Sequence, residues 1–385
     1  MSDSLIDALV CGDRPRSRIL AIIVVLILAS LALAPFLFPG TIAYRTVSNI
    51  CIFLILAASY DMLLGYTAVV SFAHAMFYGI GAYSVAIALQ YLQPTWTTVF
   101  VGVGAGVAIT LVFAVIIGLF SLRVRAIFFA MVTLAVASGF SIMVSKLYHI
   151  TGGEDGLTVT VPSSISPAFR LVGRKVPGFD VFGWIARAVA HPGGAAQAAR
   201  DAVFHFRATG ATVIYYILFC AALILFLLML RIVNSPFGRV LQAIRENEFR
   251  AEALGYRTVY YRTAANCIAA VIACLAGTLL PLSLQYISPE NTLSFTLMVN
   301  ILLITVIGGM GTLYGAVVGT TVFVVAENYL QDLLGVVAAG PVGHIPLIGG
   351  LFSPDRWLLW LGLLFVLSVY FFPRGIVGQL RAWAK

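Results

Sequence analysis

Charge is what this sequence has least of. Asp, Glu, Lys and Arg make up 10% of its 385 residues and hydrophobic residues 61%, whereas an ordinary soluble domain is about 25% charged. With a mean hydropathy of +1.02, the chain carries more apolar surface than a soluble fold can hide, and that class is excluded. Between Ile19 and Leu147 the only charged side chains are Arg45, Asp61, Arg123, Arg125 and Lys146, which leaves charge-free stretches able to cross a hydrocarbon core about 30 Å thick. Cysteine is scarce as well. Cys51, Cys220, Cys267 and Cys274 lie inside apolar runs and only Cys11 lies outside them; they read as small buried apolar residues. No histidine or further cysteine is near enough in sequence to complete a zinc-type ligand set with Cys267 and Cys274, so no metal site is expected. The chain has no Gly-x-x-x-x-Gly-Lys-Ser/Thr loop, no His-Glu-x-x-His and no clustered nucleophile and base, so no catalytic residue and no cofactor are assigned to it. The apolar runs are nearly bare of the ionisable groups an ion or proton path requires, which counts against the alternative of a secondary transporter or channel. The net charge of +8 does not point to nucleic acid, because the basic residues lie between apolar runs rather than along one face.

Apolar residues fill ten runs: 19–39, 46–64, 69–90, 97–121, 126–147, 212–230, 261–285, 292–308, 312–333 and 357–373. The pattern predicts an all-α integral membrane protein of about ten transmembrane helices in a lipid surround. Arg14, Arg16 and Arg18 precede the first run, whose length of about 21 residues exceeds a signal-peptide core, so it is expected to remain as a first helix. With a cytoplasmic N-terminus, the crossings place Arg123 and Arg125, the segment from Arg231 to Arg257, and Arg374, Arg381 and Lys385 in the cytoplasm, as the positive-inside rule asks. The organisation expected is a tail at 1–18, helices 1 to 5 over 19–147, an outside loop at 148–211, helix 6 at 212–230, a cytoplasmic segment at 231–257, helices 7 to 10 over 258–373 and a cytoplasmic tail at 374–385.

Two breaks are too short for ordinary loops, one around Gly65 and Tyr66 and one across Gly308, Gly309 and Gly311. Each implies a tight hairpin or a discontinuous, re-entrant helix. Irregular backbone at membrane depth survives where protein or a water-filled cavity satisfies it, and in transporters it often marks the solute path; a plain turn at the membrane surface is the other reading. The path candidates are Tyr66, Ser71, His74, Tyr78, Gly308, Gly309 and Gly311, with His74 either a solute ligand or a structural histidine bonded to a carbonyl. Asp61, near the end of its run, reads as a structural partner. Glycines at four-residue spacing, Gly102 with Gly106 and Gly311 with Gly315 and Gly319, fit close helix crossings. In the outside loop, Phe182 to Val189 and Ala195 to Phe206 have roughly helical apolar spacing and read as interfacial helices or as a docking surface for an extracytoplasmic partner.

The segment from Asn234 to Gly255 is written as an amphipathic cytoplasmic helix. Ser235 is a preferred N-cap, Pro236 falls at the first helical position and Gly255 stands where a left-handed terminal residue is wanted. Phe237, Val240, Leu241, Ile244, Ala251 and Leu254 fall largely on one face, and Arg239, Arg245, Glu246, Glu248, Arg250 and Glu252 decorate much of the rest. The charges cancel, so a protein surface suits this helix better than anionic lipid; a salt-bridged connector is the bland alternative.

Several of these residues together resemble a known family. Gly238-Arg239, Ala243-Ile244-Arg245-Glu246 and Arg250-Ala251-Glu252-Ala253-Leu254-Gly255 are similar to the cytoplasmic coupling loop of LivM-type permeases, the membrane subunits of branched-chain amino-acid ABC importers. Leu63-Leu64-Gly65-Tyr66 with Ser71, His74, Phe77, Gly79 and Gly81-Ala82-Tyr83 resembles the family's early signature. Thr151-Gly152-Gly153, Ile307 to Gly315 and Phe372-Pro373-Arg374-Gly375 resemble three later segments. The resemblance implies an ABC importer permease fold in a bacterial inner membrane, with both termini cytoplasmic and the 148–211 loop periplasmic. It further implies two ATPase subunits that carry ATP and Mg, a second related permease and a periplasmic solute-binding protein. On this resemblance Arg239, Ala243, Ile244, Arg245, Glu246, Glu248, Leu254 and Gly255 couple the chain to the ATPase. Departures are Asp61 where Asn is common, Ala68-Val69 where the family usually has Gly-Gln, and Ala73 where it has Gly before the histidine. They leave the solute open among branched-chain amino acids, urea, amides and aromatic acids.

Overall fold

The computed structural model describes residues 17–37, 41–121, 126–166, 169, 176–179, 203–206, 209–339, 353, 356–372 and 374–383. Each of the ten apolar runs carries a helix: α1 (Arg18–Ala32), α2 (Thr41–Thr67), α3 (His74–Tyr91), α4 (Trp96–Ser121), α5 (Ala126–Lys146), α6 (Gly210–Val233), α9 (Thr258–Leu284), α10 (Phe295–Gly308), α11 (Leu313–Ala339) and α12 (Trp357–Phe371). Between α6 and α9 stand α7 (Pro236–Glu246) and α8 (Glu248–Ala253), and α13 (Gly375–Trp383) follows α12. Among the described residues seven helices are long and apolar enough to cross a membrane; α1 and the apolar part of α12 are shorter, and α3 is not among the seven.

The reason α3 fails that test is that lipid is not its solvent. From His74 to Leu89 it buries residues around its whole circumference, Met76, Phe77, Tyr78, Ile80 and Val85 among them, and it packs against α9, α4, α5 and α10. A helix enclosed by protein can carry tyrosines and a histidine that would be costly against hydrocarbon. Its crossing with α9 is backbone to backbone. A Cβ on Gly81 would overlap the carbonyl of Cys274, and one on Gly277 would overlap the carbonyl of Tyr78, so only glycine permits this approach. The glycine spacings noted in the sequence serve similar contacts: Gly102 and Gly106 of α4 lie against Val85 and Ser84, and Gly315 and Gly319 of α11 against Gly308 and Ile304. By contrast α4 and α5 turn Phe100, Val112, Met131 and Ile142 outward, the dress of a lipid-facing flank.

Contacts sort the helix ends into two sets. At one end Tyr91 bonds the carbonyl of His149, Trp96 bonds Ser164, and Tyr215 bonds the carbonyl of Leu31. There β1 (Leu157–Thr158) also pairs antiparallel with a strand formed by Tyr286–Ile287. At the other end Gly65, Arg245, Gly311 and Gly375 are neighbours of one another or of Gly309. Successive helices therefore alternate in direction.

In the loop before α6, the expectation of an interfacial helix over Ala195 to Phe206 does not hold at its end. Residues Val203–Phe206 form a strand, β3, antiparallel to β2 (Val176–Phe179), with Val176 opposite Phe206. Val-Phe-His-Phe is rich in β-branched and aromatic residues, which pleated pairing favours over a helix. The stretch from Phe182 to Val189 lies outside the described residues.

Candidate coupling surface and transport path

The polar segment after α6 begins as the sequence leads one to expect. The Ser235 hydroxyl accepts the Gly238 amide at 3.4 Å, and Pro236 stands at the first helical turn. It does not continue as one helix. α7 stops at Glu246, Asn247 takes an extended conformation, and its side-chain oxygen accepts the Arg250 amide at 2.9 Å to cap α8. Asparagine is among the best N-caps and glutamate is favoured in a first turn, so Asn247-Glu248 carried a restart signal that the helical wheel overlooked. Gly255 closes the unit with a φ of 90°.

The break changes which residues face outward. Leu241 and Ile244 are each only 1% exposed because the inner face of α7 packs on α2, α6 and α9. The expected apolar stripe thus splits: Ile244 is spent on the chain's own bundle, whereas Leu254 is 72% exposed. Glu248 is likewise engaged within the chain, bridging Arg262 of α9 through two bonds of 2.5 and 3.2 Å, and Glu252 accepts the Thr258 hydroxyl at 2.8 Å. Arg239, Ala243 and Glu246 remain exposed. Phe249, which the one-helix reading left off its apolar face, is 85% exposed and joins them on the outer side. The result is a two-faced unit, pinned to α9 beneath and presenting Arg239, Glu246, Phe249, Arg250 and Leu254 above.

Under α7 the two breaks meet. The chain continues helically through Gly65 and Tyr66 to Thr67, and the irregular stretch is 68–73, opened by Ala68 with a φ of 55°. The second break is the turn 309–312 between α10 and α11. Asp61, 1% exposed, accepts the Gly311 amide on Oδ1 at 2.7 Å, with the Thr312 amide and the Arg245 guanidinium beside it. Its carboxylate therefore sits at the N-terminus of α11, where the helix dipole and free amides favour an anion. Arg245 of α7 donates to the Gly65 carbonyl. A Cβ on Gly65 would overlap Asp61 Oδ1 and stand 2.7 Å from the Gly311 Cα. Of the residues named for a solute path, Gly308, Gly309 and Gly311 belong to this junction at the membrane end, and Tyr66 lies buried one residue beyond Gly65.

The other path residues lie deeper. Residues 68–73 climb back into the bundle, so that His74 opens α3 beside Ser59 and Tyr60, roughly 10 Å inward of the end of α2 at 1.5 Å per residue. Non-helical backbone at that depth needs partners, and side chains supply them: Thr133 of α5 accepts the Phe72 amide at 3.1 Å and Ser71 the Ala73 amide at 3.3 Å. The His74 ring meets Tyr60 edge-on at 5.1 Å and Phe77 at 6.2 Å. The Ser59 carbonyl is next to the imidazole without hydrogen-bond geometry, and both ring nitrogens and the Tyr60 hydroxyl are buried without a bonded partner. Tyr78, one turn on, is 1% exposed. Among the described residues no cluster of three or more metal-ligating side chains occurs.

Comparison with known proteins converges on one group. Residues 42–369 match a family model described as branched-chain amino acid transport system / permease component. The chain is 24% identical over 349 residues to the high-affinity branched-chain amino acid transport system permease protein LivM of Escherichia coli K12, covering 90% of this chain and 72% of that one. It is 26% identical over 342 residues to the protein of the same name from Salmonella typhimurium, covering 87% and 69%. A probable branched-chain amino acid transport permease protein LivM of Methanocaldococcus jannaschii is 30% identical over 167 residues, 43% of this chain and 46% of that one. No solved structure matches significantly.

Proposed function

The chain belongs to the family of branched-chain amino acid transport system permease components, and from that premise we propose that it is the membrane subunit of an ATP-binding-cassette importer. It is a multi-pass membrane protein and a transporter subunit. The cargo we propose is a small polar solute, a branched-chain amino acid foremost. ATP and Mg are held by two partner ATPase subunits, a second related permease completes the pore and a periplasmic binding protein delivers the solute. Because Arg231, Arg239, Arg245, Arg250, Arg257 and Arg374 gather at the end that carries Gly65 and Gly311, that end is cytoplasmic by the positive-inside rule, and the membrane is a bacterial inner membrane.

The observation that carries this reading is the two-faced α7–α8 unit. Its inner face is buried and ion-paired to α9, so a push on its outer face is passed into the bundle. Its outer face leaves Phe249 and Leu254 bare amid Arg239, Glu246 and Arg250, the pattern of an apolar anchor inside a charged rim. Closure of the ATPases pushes this lever, and the attached spans rock to alternate access to the path. The path runs past Ser71, His74 and Tyr78. The unbonded His74 imidazole and Tyr60 hydroxyl offer a donor and an acceptor to a passing solute. Val69 is buried and has no side-chain amide, which keeps urea, amides and aromatic acids as cargo alternatives.

The test is to coexpress the chain with candidate ATPase subunits and compare Phe249→Asp and Leu254→Asp with the unmodified protein. Both variants should insert and fold, since each side chain is exposed, yet lose the ATPase on purification by about 2 kcal/mol or more of binding each. Full ATPase retention and unmodified solute uptake by both variants would remove the docking assignment.

A further inference from the structure

Asp61 is the one acidic residue of α2, whose other charged residue, Arg45, lies in its first turns. One of its oxygens takes the Gly311 amide, but the other, Oδ2, is buried and has no bonded partner. A buried carboxylate oxygen left unbonded is costly; the Thr312 amide lies beside the carboxylate without bonding Oδ2, so a further contact belongs there. The candidate is already adjacent. Arg245 reaches in from α7 and donates to the carbonyl of Gly65, which is one helical turn from Asp61 on the same face of α2. A Cβ on Gly311 would lie 2.7 Å from Arg245 Nη1 and 3.0 Å from the Gly65 carbonyl oxygen, which places guanidinium, carbonyl and Gly311 in one small cluster. Arg245 is also the charged group that acts on the Asp61 carboxylate.

We propose that Asp61 and Arg245 form a two-position joint, in which Arg245 shifts from the Gly65 carbonyl to Asp61 Oδ2 when α7 is driven toward the bundle. This rests on the importer reading above and names the residue within the membrane that receives the movement. In the resting position Arg245 binds a neutral carbonyl; in the driven position it gains an acceptor of opposite charge and pairs with it. Asp61 also holds the amide at the start of α11. One displacement of α7 is therefore delivered to α2 and α11 together, the two helices that flank the junction. Discrete alternative partners for one side chain are what a bistable element requires. Gly65 keeps the surface between the two positions clear, because no side chain fits there. Asp61 is on this account a positioning residue and does not touch the solute.

The experiment compares Asp61→Asn, Arg245→Gln and the double variant, each in the assembled transporter in vesicles, for solute taken up per ATP hydrolysed. Asparagine can still accept the Gly311 amide, so Asp61→Asn should assemble and hydrolyse ATP. Loss of one charge-assisted bond in the driven position should lower uptake per ATP on the order of tenfold. Arg245→Gln should do the same, and because Arg245 is exposed it provides the measurement if Asp61→Asn fails to assemble. The double variant should be no worse than either single one, the non-additivity of two groups that act on each other, and uptake per ATP should fall while Tm and ATPase retention hold, which a merely structural pairing would not give. Unchanged uptake per ATP in either single variant, or losses that multiply in the double variant, overturns the joint while leaving the importer reading intact. An unmodified chain that neither retains nor stimulates an ATPase overturns the importer reading and the joint with it.

Discussion

Replacing Gly65 by alanine adds one methyl group at the point where α2, α7 and the turn before α11 converge. That carbon would overlap Asp61 Oδ1 and lie 2.7 Å from the Gly311 Cα, so the turn must retreat and the 2.7 Å bond from the Gly311 amide to Asp61 is lost. Overpacking of a tight site costs about 1–3 kcal/mol, and a hydrogen bond to a charged acceptor contributes about 1.5–3 kcal/mol. The two together come to about 2.5–6 kcal/mol. With an unfolding entropy of about 2.1 cal/mol/K per residue, this corresponds to a fall in Tm of about 5 °C for a chain of this length. Thermal scanning of the purified protein in detergent reads it directly. The matched control is Gly104→Ala, because a Cβ at Gly104 has nothing within 4 Å; its Tm should be unchanged or slightly raised. Equal Tm values for the unmodified chain, Gly65→Ala and Gly104→Ala would refute the close packing of this junction and the role of Asp61 within it.

Ile244→Asp should behave unlike Phe249→Asp, because Ile244 is 1% exposed: an unpaired carboxylate there costs several kcal/mol, and the variant should be lost from the monodisperse peak in size-exclusion chromatography. Ala68→Gly should stabilise the chain by about 1 kcal/mol, since residue 68 holds a φ of 55° that disfavours a side chain; an unchanged or lowered Tm would contradict this. With the orientation proposed, cysteines introduced at the exposed positions Glu154 and Asn247 should label from opposite sides of sealed cells, Glu154→Cys alone with an impermeant reagent applied outside. Labelling of Asn247→Cys from outside would reverse the topology.

What could be read from the sequence was what depends on local chemistry. Apolar runs located the helices, Ser235-Pro236 the start of α7, and glycine spacing the crossings of α4 with α3 and of α11 with α10. Reading failed where a local choice had two answers. Asn247 could continue a helix or cap a new one, and choosing the first left Phe249 off the apolar face, while the stripe that holds Ile244 was assigned to a partner although it packs on the chain's own bundle. It failed again where partners are remote. Asp61 and Gly311 are 250 positions apart, and Arg245 and Gly65 180; nothing in either neighbourhood announces the other. The first break was placed at Gly65-Tyr66 because glycine signals a break, yet Gly65 is required for close approach inside a continuous helix, and the backbone turns at Ala68 instead.

The burial of α3 also bears on how the chain is made. A ribosome delivers α3 to the membrane before α4 and long before α9, although α9 provides the crossing at Gly277 that encloses it. With His74 at its head and Tyr78 and Tyr83 along its length, α3 is a poor candidate to partition into lipid alone. The amide of Phe72 ahead of it waits for Thr133 of α5. Until α9 emerges, α3 has α4 and α5 against it but lacks the helix that encloses it at Gly81 and Gly277, so its polar residues stay partly uncovered through the synthesis of the following helices.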